Sequence, residues 1–579
     1  MACVLSLLLA VPVLRSQSVV FSHDGGFYAD TFSLAMRVEY APAGCGPFAI
    51  HYTLNGNEPT ECDTLYRGPL PITSDCYSRA NLYRVQTVPD DRWYEPRGVE
   101  RVVVVRAAAF DTAGNRRSAV NTVSFLIDSL LGRRIQLPVV SLCADSLSLF
   151  DHDTGIFMRG YFFNPAMPYS SGNYFQKGRM WERRASFAYY DSAGTALEQD
   201  CGLRVHGNSQ RVLAQKGLSL YARRDYGEPS FNHAFFPNRR QEAFRRLVLR
   251  PWKTSWSAAG VEDWLCQRIA DSLRFDNLAS RPVVLFLNGE YWGVYFLEEK
   301  ADEHYVAERH GTDKDSVDLL SYWGNEVENG SPARWNALYN WLQHADLSRQ
   351  KDYDYLASQV DIDALTDYIL MQLLVLNDDW PVNNVRFWAA GDRRWRWIFF
   401  DGDGTFSSFP DNSIMLDYMT CNIPRKSSHT SPHATLLFRR LYANEAFRQR
   451  SLRRMGELVD SHFAYRRTSP LLWQIAAEVE PEVPHQIARF DTPASMTRWR
   501  VALEVIDDFL RDEPRAMMEG YARYFNLTAP AAETFAAYDR YGRQLLPPGS
   551  REEQLQSLPP GSYFLQYDDR RTETRKVTR

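Results

Sequence analysis

The pattern of apolar and polar positions divides the chain into strand-like and helix-like regions. Up to about residue 128, short runs such as "FAIHYTLNG" and "RVVVVRAAAF" alternate in polarity or are continuously apolar, and they end at turn-forming residues. Such runs are typical of short β-strands joined by tight turns. We therefore predict a small antiparallel β-sandwich over residues 19–130.

The central region, residues 131–525, begins with strand-like runs and continues with helical ones. "RPVVLFLNGEYWGVYFLEE" is typical of buried strands, whereas "DIDALTDYILMQLLVLND" places its apolar side chains on one helical stripe behind Asp361, a predicted N-cap. Further helices are predicted over about 434–463 and 496–525. A strand-rich half followed by a helix-rich half predicts an α+β fold with a cleft between two lobes.

The two ends of the chain differ from this core. Residues 1–18 contain a short apolar stretch followed by polar residues, a pattern typical of a signal peptide, although no positive residues precede it. A buried N-terminal strand is the alternative. No other stretch reaches the roughly 18 apolar residues that a membrane span needs, so we expect no transmembrane segment in the mature chain. Residues 526–579 alternate short strand-like runs with Pro-Gly turns and predict a β-rich tail.

Composition narrows the classes of partner and metal. The 579 residues carry a formal net charge of -5 and no dense basic tract, which argues against a nucleic-acid partner. The eight cysteines form no C-x-x-C pair, so a zinc site is not expected. Cys45, Cys62 and Cys76 cluster early, and a disulfide between one pair of them is a possible staple for the first domain.

Two aspartates follow a buried-strand pattern in "RWIFFDGDGTF", and three kinds of site use such a segment. Asp401 and Asp403 fit the nucleophile motif of a haloacid-dehalogenase-type phosphatase, a calcium loop or a metal–nucleotide site. The phosphatase motif normally opens a parallel α/β domain, whereas the chain here continues with helical patterns. The segment also lacks the Glu that closes a calcium loop of the EF type, so that site is not favoured. The metal–nucleotide site is therefore the favoured interpretation.

A second polar cluster, "LNDDWPVNNVRFW", follows a predicted helix. Asp379 and Asn384 have the five-residue separation of the base and the metal-binding Asn in a kinase catalytic loop. Asp378 and Asn383 have the same separation, so spacing alone does not decide which pair faces the cleft. Carboxylate and amide oxygens are the ligands that Mg²⁺ and Mn²⁺ prefer.

Four segments together resemble the CotH kinase family, over about residues 140–420: "RVHGNSQRVLAQKGLSL", "LNGEYWGVYFLEEKAD", "LNDDWPVNNVRFW" and "IFFDGDGTF". The resemblance implies an atypical protein-kinase-like bilobed domain that uses ATP with Mg²⁺ or Mn²⁺ to phosphorylate Ser or Thr of secreted or cell-surface proteins. It favours Asp379 as the catalytic carboxylate. It assigns the metal to Asn384, Asp401 and Asp403.

The same resemblance makes Lys216 the catalytic cation that binds the phosphates. It places Gly207 and Asn208 in a turn beside them, and it implies that Glu299 or Asp263 orients the lysine. The chain departs from the family at His206, Gln210, Phe400 and Ser407, where Arg, Ser, Trp and Gly are usual. None of these departures removes an acidic ligand. A kinase-like scaffold or adhesive surface protein without turnover is the alternative function.

The flanking regions carry two further resemblances. "IHYTLNGNEPT" and "LYRGPLPI" resemble the chitobiase/hexosaminidase C-terminal module, a fibronectin-like domain, which implies a spacer or a glycan contact. "LPPGSYFLQY" resembles the sorting domain of the type IX secretion route in Bacteroidetes-like bacteria. Together with the signal peptide, these resemblances imply an exported protein that is secreted or held at the cell surface, with association to the outer membrane as one option.

Overall fold

The computed structural model describes most of the chain. The described residues are 17–39, 47–77, 81–89, 96, 99–127, 134–191, 194–252, 259–406, 413–422, 428–529, 535–550, 552–555, 557–567 and 572–577. The predicted signal peptide, except for its last two residues, and Cys45 lie outside them. Within these ranges no helix has the length and apolar character needed to cross a membrane.

The N-terminal region contains nine strands in its described residues. They are β1 (Ser18–Phe21), β2 (Gly26–Tyr28), β3 (Phe32–Leu34), β4 (Met36–Glu39), β5 (Ala49–Thr53), β6 (Thr64–Leu65), β7 (Leu70–Ile72), β8 (Val103–Phe110) and β9 (Asn121–Ile127). The sheets are β2-β9-β8-β5-β6, β1-β4 and β3-β7, and all three contribute to one apolar core. The predicted strands are confirmed, and the sandwich arrangement stays a prediction. Cys62 and Cys76 are free thiols, so no disulfide joins them.

The next strands close into a barrel that the sequence pattern did not predict. Its order is β10-β11-β12-β13-β16-β19-β18. The strands are β10 (Val139–Cys143), β11 (Arg183–Asp191), β12 (Gly194–His206), β13 (Gly217–Tyr221), β16 (Arg246–Pro251), β18 (Ser280–Leu287) and β19 (Glu290–Glu299). A short helix α1 (Ser146–Phe150) follows β10, and β14 (Phe231–Asn232) pairs with β15 (Ala243–Phe244).

Two cores explain why the barrel strands are apolar on both faces. On β18, Val283 and Leu285 belong to one cluster, whereas Val284 and Phe286 belong to a second cluster shared with the helices. Successive side chains of a strand point to opposite faces. A strand buried on both faces therefore reads as a continuous apolar run.

The helix-rich half is built around a five-stranded sheet in the order β17-β23-β22-β20-β21. Its strands are β17 (Asp276–Asn277), β20 (Val317–Ser321), β21 (Glu326–Asn329), β22 (Arg386–Ala390) and β23 (Arg396–Phe399). The helices are α2 (Glu262–Ala270), α3 (Glu303–His310), α4 (Ala333–Leu342), α5 (Gln350–Gln359), α6 (Ile362–Leu374), α7 (Ser413–Thr420), α8 (Leu436–Ala443), α9 (Glu445–Asp460), α10 (Tyr465–Val479), α11 (Val483–Phe490) and α12 (Met496–Tyr524).

The three helices predicted from periodicity are confirmed, with a break near Asn444 in the second. Asp361 caps α6 by accepting a hydrogen bond from the Ala364 backbone N–H (3.3 Å). Asn444 ends α8 and caps α9 through the Phe447 N–H (2.9 Å), so the predicted single helix over 434–463 is two helices. The fold is thus α+β, as predicted.

The predicted β-rich tail is present among the described residues. A four-stranded antiparallel sheet has the order β25-β24-β26-β27. Its elements are β24 (Phe535–Tyr538), β25 (Gln544–Ser550), the short helix α13 (Glu552–Leu555), β26 (Gly561–Tyr567) and β27 (Thr572–Val577). This sheet has a small apolar core of its own, which includes Leu565 and Val577.

Candidate active site

A cleft of about 920 Å³ lies between the barrel and the five-stranded sheet. The barrel contributes the loop between β12 and β13 and the end of β16, and the sheet contributes the residues before β22 and after β23. Of the eight predicted site residues, six line this cleft: Gly207, Asn208, Asp379, Asn384, Asp401 and Asp403. The topology explains part of this convergence. Because β22 and β23 are antiparallel, the start of β22 and the end of β23 lie side by side at the same end of the sheet.

Asp379 and Asn384 are in direct contact. The Asn384 amide donates a hydrogen bond to the Asp379 carboxylate (3.3 Å) and another to the Asp401 backbone carbonyl (3.4 Å). Asn384 and Asp401 both adopt left-handed backbone conformations, with φ of 54° and 61°. Such conformations cost a non-glycine residue about 1–3 kcal/mol and concentrate at functional sites. The amide of Asn384 therefore joins the two acidic segments at the base of the cleft.

The neighbouring pair is arranged differently. The Asp378 backbone N–H donates to the Gly404 carbonyl (3.0 Å), and its Oδ1 lies only 2.4 Å from where a Cβ on residue 404 would be. A side chain at residue 404 would therefore have to displace this carboxylate. Asn383 lines the cleft beside Asn384, whereas Asp378 packs behind Gly404. Asp379 is accordingly the aspartate of this loop that faces the cleft.

The Asp401–Asp403 turn is held from below by α2. The Gly402 N–H donates to the Asp263 carboxylate (2.6 Å), and the Thr405 hydroxyl donates to the Gly402 carbonyl (2.6 Å). Asp263 is buried, and its partner is the acidic turn rather than Lys216, contrary to the prediction that it could orient the lysine. A buried acceptor for a backbone N–H fixes the direction in which the two carboxylates project.

Arg250 is the main functional residue that the sequence did not reveal. Its Nη2 lies 2.5 Å from Asp401 Oδ1 and 2.6 Å from Asp403 Oδ2. Burial disfavours its charge, but the carboxylates of Asp403 and Asp401 raise the pKa of Arg250 well above its ordinary value. The available signal was an arginine directly after the apolar run Leu247–Leu249 of strand β16. Arg250 therefore supplies positive charge at the acidic wall of the cleft.

Lys216 does not have the position predicted for it. Its ammonium donates to the backbone carbonyls of Thr87 (3.0 Å), Arg211 (2.9 Å) and Leu213 (2.9 Å). It also lies 4.2 Å from the centre of the Tyr174 ring, and the residue is fully buried. An ammonium has three donors, and all three are used here. Burial lowers the pKa of Lys216 well below its ordinary value. The prediction that Lys216 faces the acidic residues is therefore wrong.

Glu299 also lies away from the cleft. Its carboxylate accepts the Ala279 backbone N–H (2.6 Å) and pairs with Arg239 (3.3 Å). Glu299 is buried, and the small pocket that it borders is separate from the cleft. It orients a backbone turn and an arginine, not Lys216. The prediction that Glu299 lies beside the cofactor is therefore wrong.

Two other polar side chains complete the barrel wall of the cleft. Lys300, directly after β19, and His206, at the end of β12, both line it. Burial, followed by the charge of Lys300, lowers the pKa of His206 well below its ordinary value, so its imidazole is neutral near pH 7. His206 Nδ1 lies 2.9 Å from the Ser219 hydroxyl. Lys300 and Arg250 are thus cations that this wall presents to the cleft.

The environment of Asp379 suits a proton acceptor. Burial and, next, the charge of Asp401 raise the pKa of Asp379 above its ordinary value. A carboxylate that binds protons more tightly is a better general base, provided that it remains ionised at the working pH. Asp379 is therefore the carboxylate of this site most suited to accept a hydroxyl proton.

The donor chemistry of the acidic wall fits a hard divalent cation. Asp401, Asp403 and Asn384 offer oxygen atoms of the kind that Mg²⁺ and Mn²⁺ prefer. Across the described ranges, however, no group of three or more His, Cys, Asp or Glu side chains has the geometry of a metal site. The guanidinium of Arg250 instead neutralises the two aspartates. The oxygen atoms of these side chains are thus of the kind that binds Mg²⁺ or Mn²⁺, and in this structure Arg250 balances the charge of the two aspartates.

The sheet that carries Asp401 argues against the phosphatase alternative. Only the β17–β23 pair is parallel; β22 runs antiparallel to β23 and to β20. The phosphatase motif belongs at the end of a strand in a parallel α/β sheet. The aspartates of "IFFDGDGTF" therefore have a structural context different from that of a haloacid dehalogenase.

Comparison with known families gives two matches. The model of the CotH kinase protein family matches residues 203–517, which include all eight predicted site residues, and the Fn3 associated family matches residues 47–125. A search of curated proteins found no matching relative. Because the first match covers more than half of the chain, this protein belongs to the CotH kinase family.

Proposed function

We propose that this protein is an exported, metal-dependent protein kinase that transfers phosphate from ATP to Ser or Thr of secreted or cell-surface proteins. The observation that carries the proposal is the convergence of Asp379, Asn384 and Asp401 on one cleft, opposite the Gly207–Asn208 loop. Phosphoryl transfer needs positioning and charge neutralisation more than covalent chemistry, and this cleft offers both.

Each side chain has a distinct task in this proposal. Asp379 orients the acceptor hydroxyl and takes its proton, and Asn384 holds the Asp379 carboxylate in place. Asp401, Asp403 and Asn384 would hold Mg²⁺ or Mn²⁺, which neutralises phosphate charge when it is bound. Arg250 and Lys300 take the phosphate-binding role that the sequence assigned to Lys216.

The test is phosphate transfer from labelled ATP to the protein itself or to a generic acceptor protein. Asp379→Asn is expected to lower the transfer rate by about 10²–10⁴-fold, the usual contribution of a positioned base. Asp378→Asn is the matched control, because its carboxylate packs against Gly404, and its rate is expected to stay within a few-fold of wild type. Equal rates for the two variants would contradict the assignment of Asp379.

A scaffold without turnover is the second candidate, and the Arg250 bridge is the observation that favours it. An arginine that occupies both aspartates competes with a metal ion for the same oxygens. The two functions differ in a thermal-shift titration with ATP and Mg²⁺. A kinase is stabilised by both ligands, by about 2.7 kcal/mol at a hundredfold excess over the dissociation constant. A scaffold shows no shift and no transfer.

The flanking regions are proposed to direct and present this kinase. We infer export from the apolar stretch of residues 1–18, sorting to the cell surface from the tail, and a spacer or glycan-binding role for the N-terminal module. Fractionation of cells that express the full chain and a chain lacking residues 526–579 tests the sorting role. Retention of the shortened chain inside the cell supports it, and equal surface amounts contradict it.

A further inference from the structure

The segment from Gly155 to Trp181 carries a concentration of exposed apolar side chains. Tyr161, Phe162, Met167, Tyr169 and Met180 are 44–85% exposed, and we call these five side chains the aromatic platform. The described part of the chain has thirteen large apolar side chains that are more than 40% exposed, and five of the thirteen lie in the platform. Contiguous exposed apolar surface marks interaction sites in proteins.

The platform is preformed although its segment contains no strand. Asn173 is buried, and its amide donates to the carbonyls of His152 (2.9 Å) and Gly155 (3.2 Å). The rings of Tyr161 and Phe162 pack edge to face, with centroids 5.3 Å apart, and Phe162 packs on Trp181 at 5.5 Å. A surface that is already ordered loses little conformational entropy when it binds a partner.

The platform continues into the candidate active site. Tyr169 and the exposed Lys177 line the same cleft as Asp379. The Arg211 guanidinium, from the loop that lines the cleft, donates to the backbone carbonyls of Tyr174 (2.8 Å) and Gln176 (3.1 Å). Tyr169 therefore belongs to both surfaces, so the platform and the cleft are joined at this side chain.

The charges around the platform define the kind of segment that fits. Residues 155–181 contain three basic side chains, Arg159, Lys177 and Arg179, and no acidic one. Arg179 pairs with Glu182, whereas no carboxylate among the described residues forms an ion pair with Lys177. The cleft also carries Glu326 and Glu328 on the edge strand β21. An acidic side chain is thus complementary to Lys177 on the platform side of the cleft, whereas at β21 it meets Glu326 and the Glu328–Arg386 pair (2.9 Å).

We propose that the aromatic platform docks an extended segment of the acceptor protein. The segment places an aromatic side chain on Tyr161 and Met180 and an acidic side chain beside Lys177, and it delivers a Ser or Thr hydroxyl to Asp379. In the transfer, the hydroxyl oxygen bonds to the γ-phosphorus of ATP, its proton passes to Asp379, and the bond to the bridging oxygen breaks to release ADP. This inference rests on the proposed kinase function, whose substrate class it names.

The test measures binding without ATP, so it is independent of catalysis. Two labelled synthetic peptides each contain one Ser and one Phe. In the first, an Asp lies on the same side of the Ser as the Phe, and in the second a Lys takes the place of that Asp. Fluorescence anisotropy reports the affinity of each peptide for the full chain. The Asp peptide is expected to bind tighter. Tyr161→Ser and Met180→Ser are each expected to weaken it by about tenfold, the effect of losing an interface anchor. Trp473→Ser removes an exposed aromatic side chain that lies outside the platform, on α10; it is the control and is expected to bind as wild type.

Lys177→Glu is expected to reverse the preference, so that the Lys peptide binds tighter than the Asp peptide. Unchanged affinity in Tyr161→Ser and Met180→Ser would overturn the proposal. It would also fall if these variants instead dissolved a dimer in sedimentation or released the protein from anionic lipid vesicles. Peptide docking without any transfer contradicts the kinase function alone, and transfer that ignores the platform variants contradicts the docking alone.

Discussion

The barrel region contains a fully buried cation and a largely buried one at neighbouring strands, and their surroundings are opposite in character. Lys216 directly precedes β13, and Arg250 is the penultimate residue of β16. The two strands are antiparallel neighbours, and Leu218 of β13 pairs with Leu249 of β16. Lys216 is surrounded by neutral backbone carbonyls, whereas Arg250 bridges two carboxylates at the cleft. One cation ties loops together, and the other balances the charge of a site.

This difference follows from the chemistry of the two groups. An ammonium is a compact charge with three donors and can be enclosed by three carbonyls, whereas a planar guanidinium matches carboxylates and phosphates. The Lys216 carbonyl partners include Thr87, which precedes β8 of the N-terminal module, and Arg211 in the loop that lines the cleft. Lys216 therefore couples that module to the cleft wall without touching the site itself.

Removing the Arg250 charge is expected to have the largest effect on stability. Arg250→Met leaves Asp401 and Asp403 without their cation, and breaking a largely buried ion pair of this kind costs about 3–5 kcal/mol. Mg²⁺ is expected to restore part of the lost free energy of unfolding, because the freed carboxylates bind it. Urea denaturation with and without millimolar Mg²⁺ measures both effects. A variant that is equally unstable in both conditions would contradict the view that these oxygens suit a metal.

Removing the Lys216 charge is expected to cost slightly less and to be insensitive to metal. Lys216→Met leaves three carbonyls without their donor, and we expect a loss of about 2–4 kcal/mol. Mg²⁺ brings no recovery, and the folded variant binds ATP as wild type does. Lys300→Met is the matched comparison, with unchanged stability and weaker ATP binding. If Lys216→Met instead folds normally and loses ATP binding, Lys216 regains the phosphate-binding role.

Glu299 provides a smaller test of the same distinction between structural and functional charges. Glu299→Gln keeps an acceptor for the Ala279 N–H but removes the charge that faces Arg239, so we expect a loss of about 1 kcal/mol and unchanged ATP affinity. Glu298→Gln is the control. Burial, followed by the charge of Asp263, raises the pKa of Glu298 well above its ordinary value, so glutamine replaces a group that the fold favours as neutral. Equilibrium unfolding and an ATP titration distinguish the outcomes.

The acidic side of the site could be predicted because local signals place it. The cap at Asp361 marks where α6 begins, the polar run that includes Asp379 follows its end, and Asp401 follows the apolar run Trp397–Phe400. The cationic side could not be predicted in this way. The direction of a side chain at a strand end depends on its tertiary neighbours, and the carbonyl of Thr87 is 129 residues away from Lys216 in the chain.

The barrel shows the same limit at the level of topology. It closes through parallel pairing of β10 with β18, where Val139 faces Val284. Alternation and apolar runs predict that a segment is a strand, but they carry no information about which distant strand it pairs with. The sequence therefore predicted the strands of this region and a cleft, and gave no sign of a closed barrel or of Arg250 at its edge.

The Asp379→Asn variant tests whether the acidic wall still holds excess negative charge despite Arg250. Because burial and Asp401 raise the pKa of Asp379, its ionised form opposes folding above that raised pKa. Asp379→Asn is therefore expected to raise the free energy of unfolding modestly at pH 7. The gain shrinks as pH falls through the folded-state pKa and vanishes below the ordinary value of 3.8, where the carboxyl is protonated in both states.

Asp367→Asn gives the opposite sign and serves as the control. Asp367 is fully buried and accepts two hydrogen bonds from Arg454 (2.8 and 2.9 Å), so its loss destabilises the fold at pH 7 by about 3–5 kcal/mol. Urea unfolding of both variants over a pH series measures the contrast. If Asp379→Asn loses stability at pH 7 as Asp367→Asn does, then Arg250 already balances the negative charge of the acidic wall. The ionised Asp379 carboxylate would then not destabilise the folded protein.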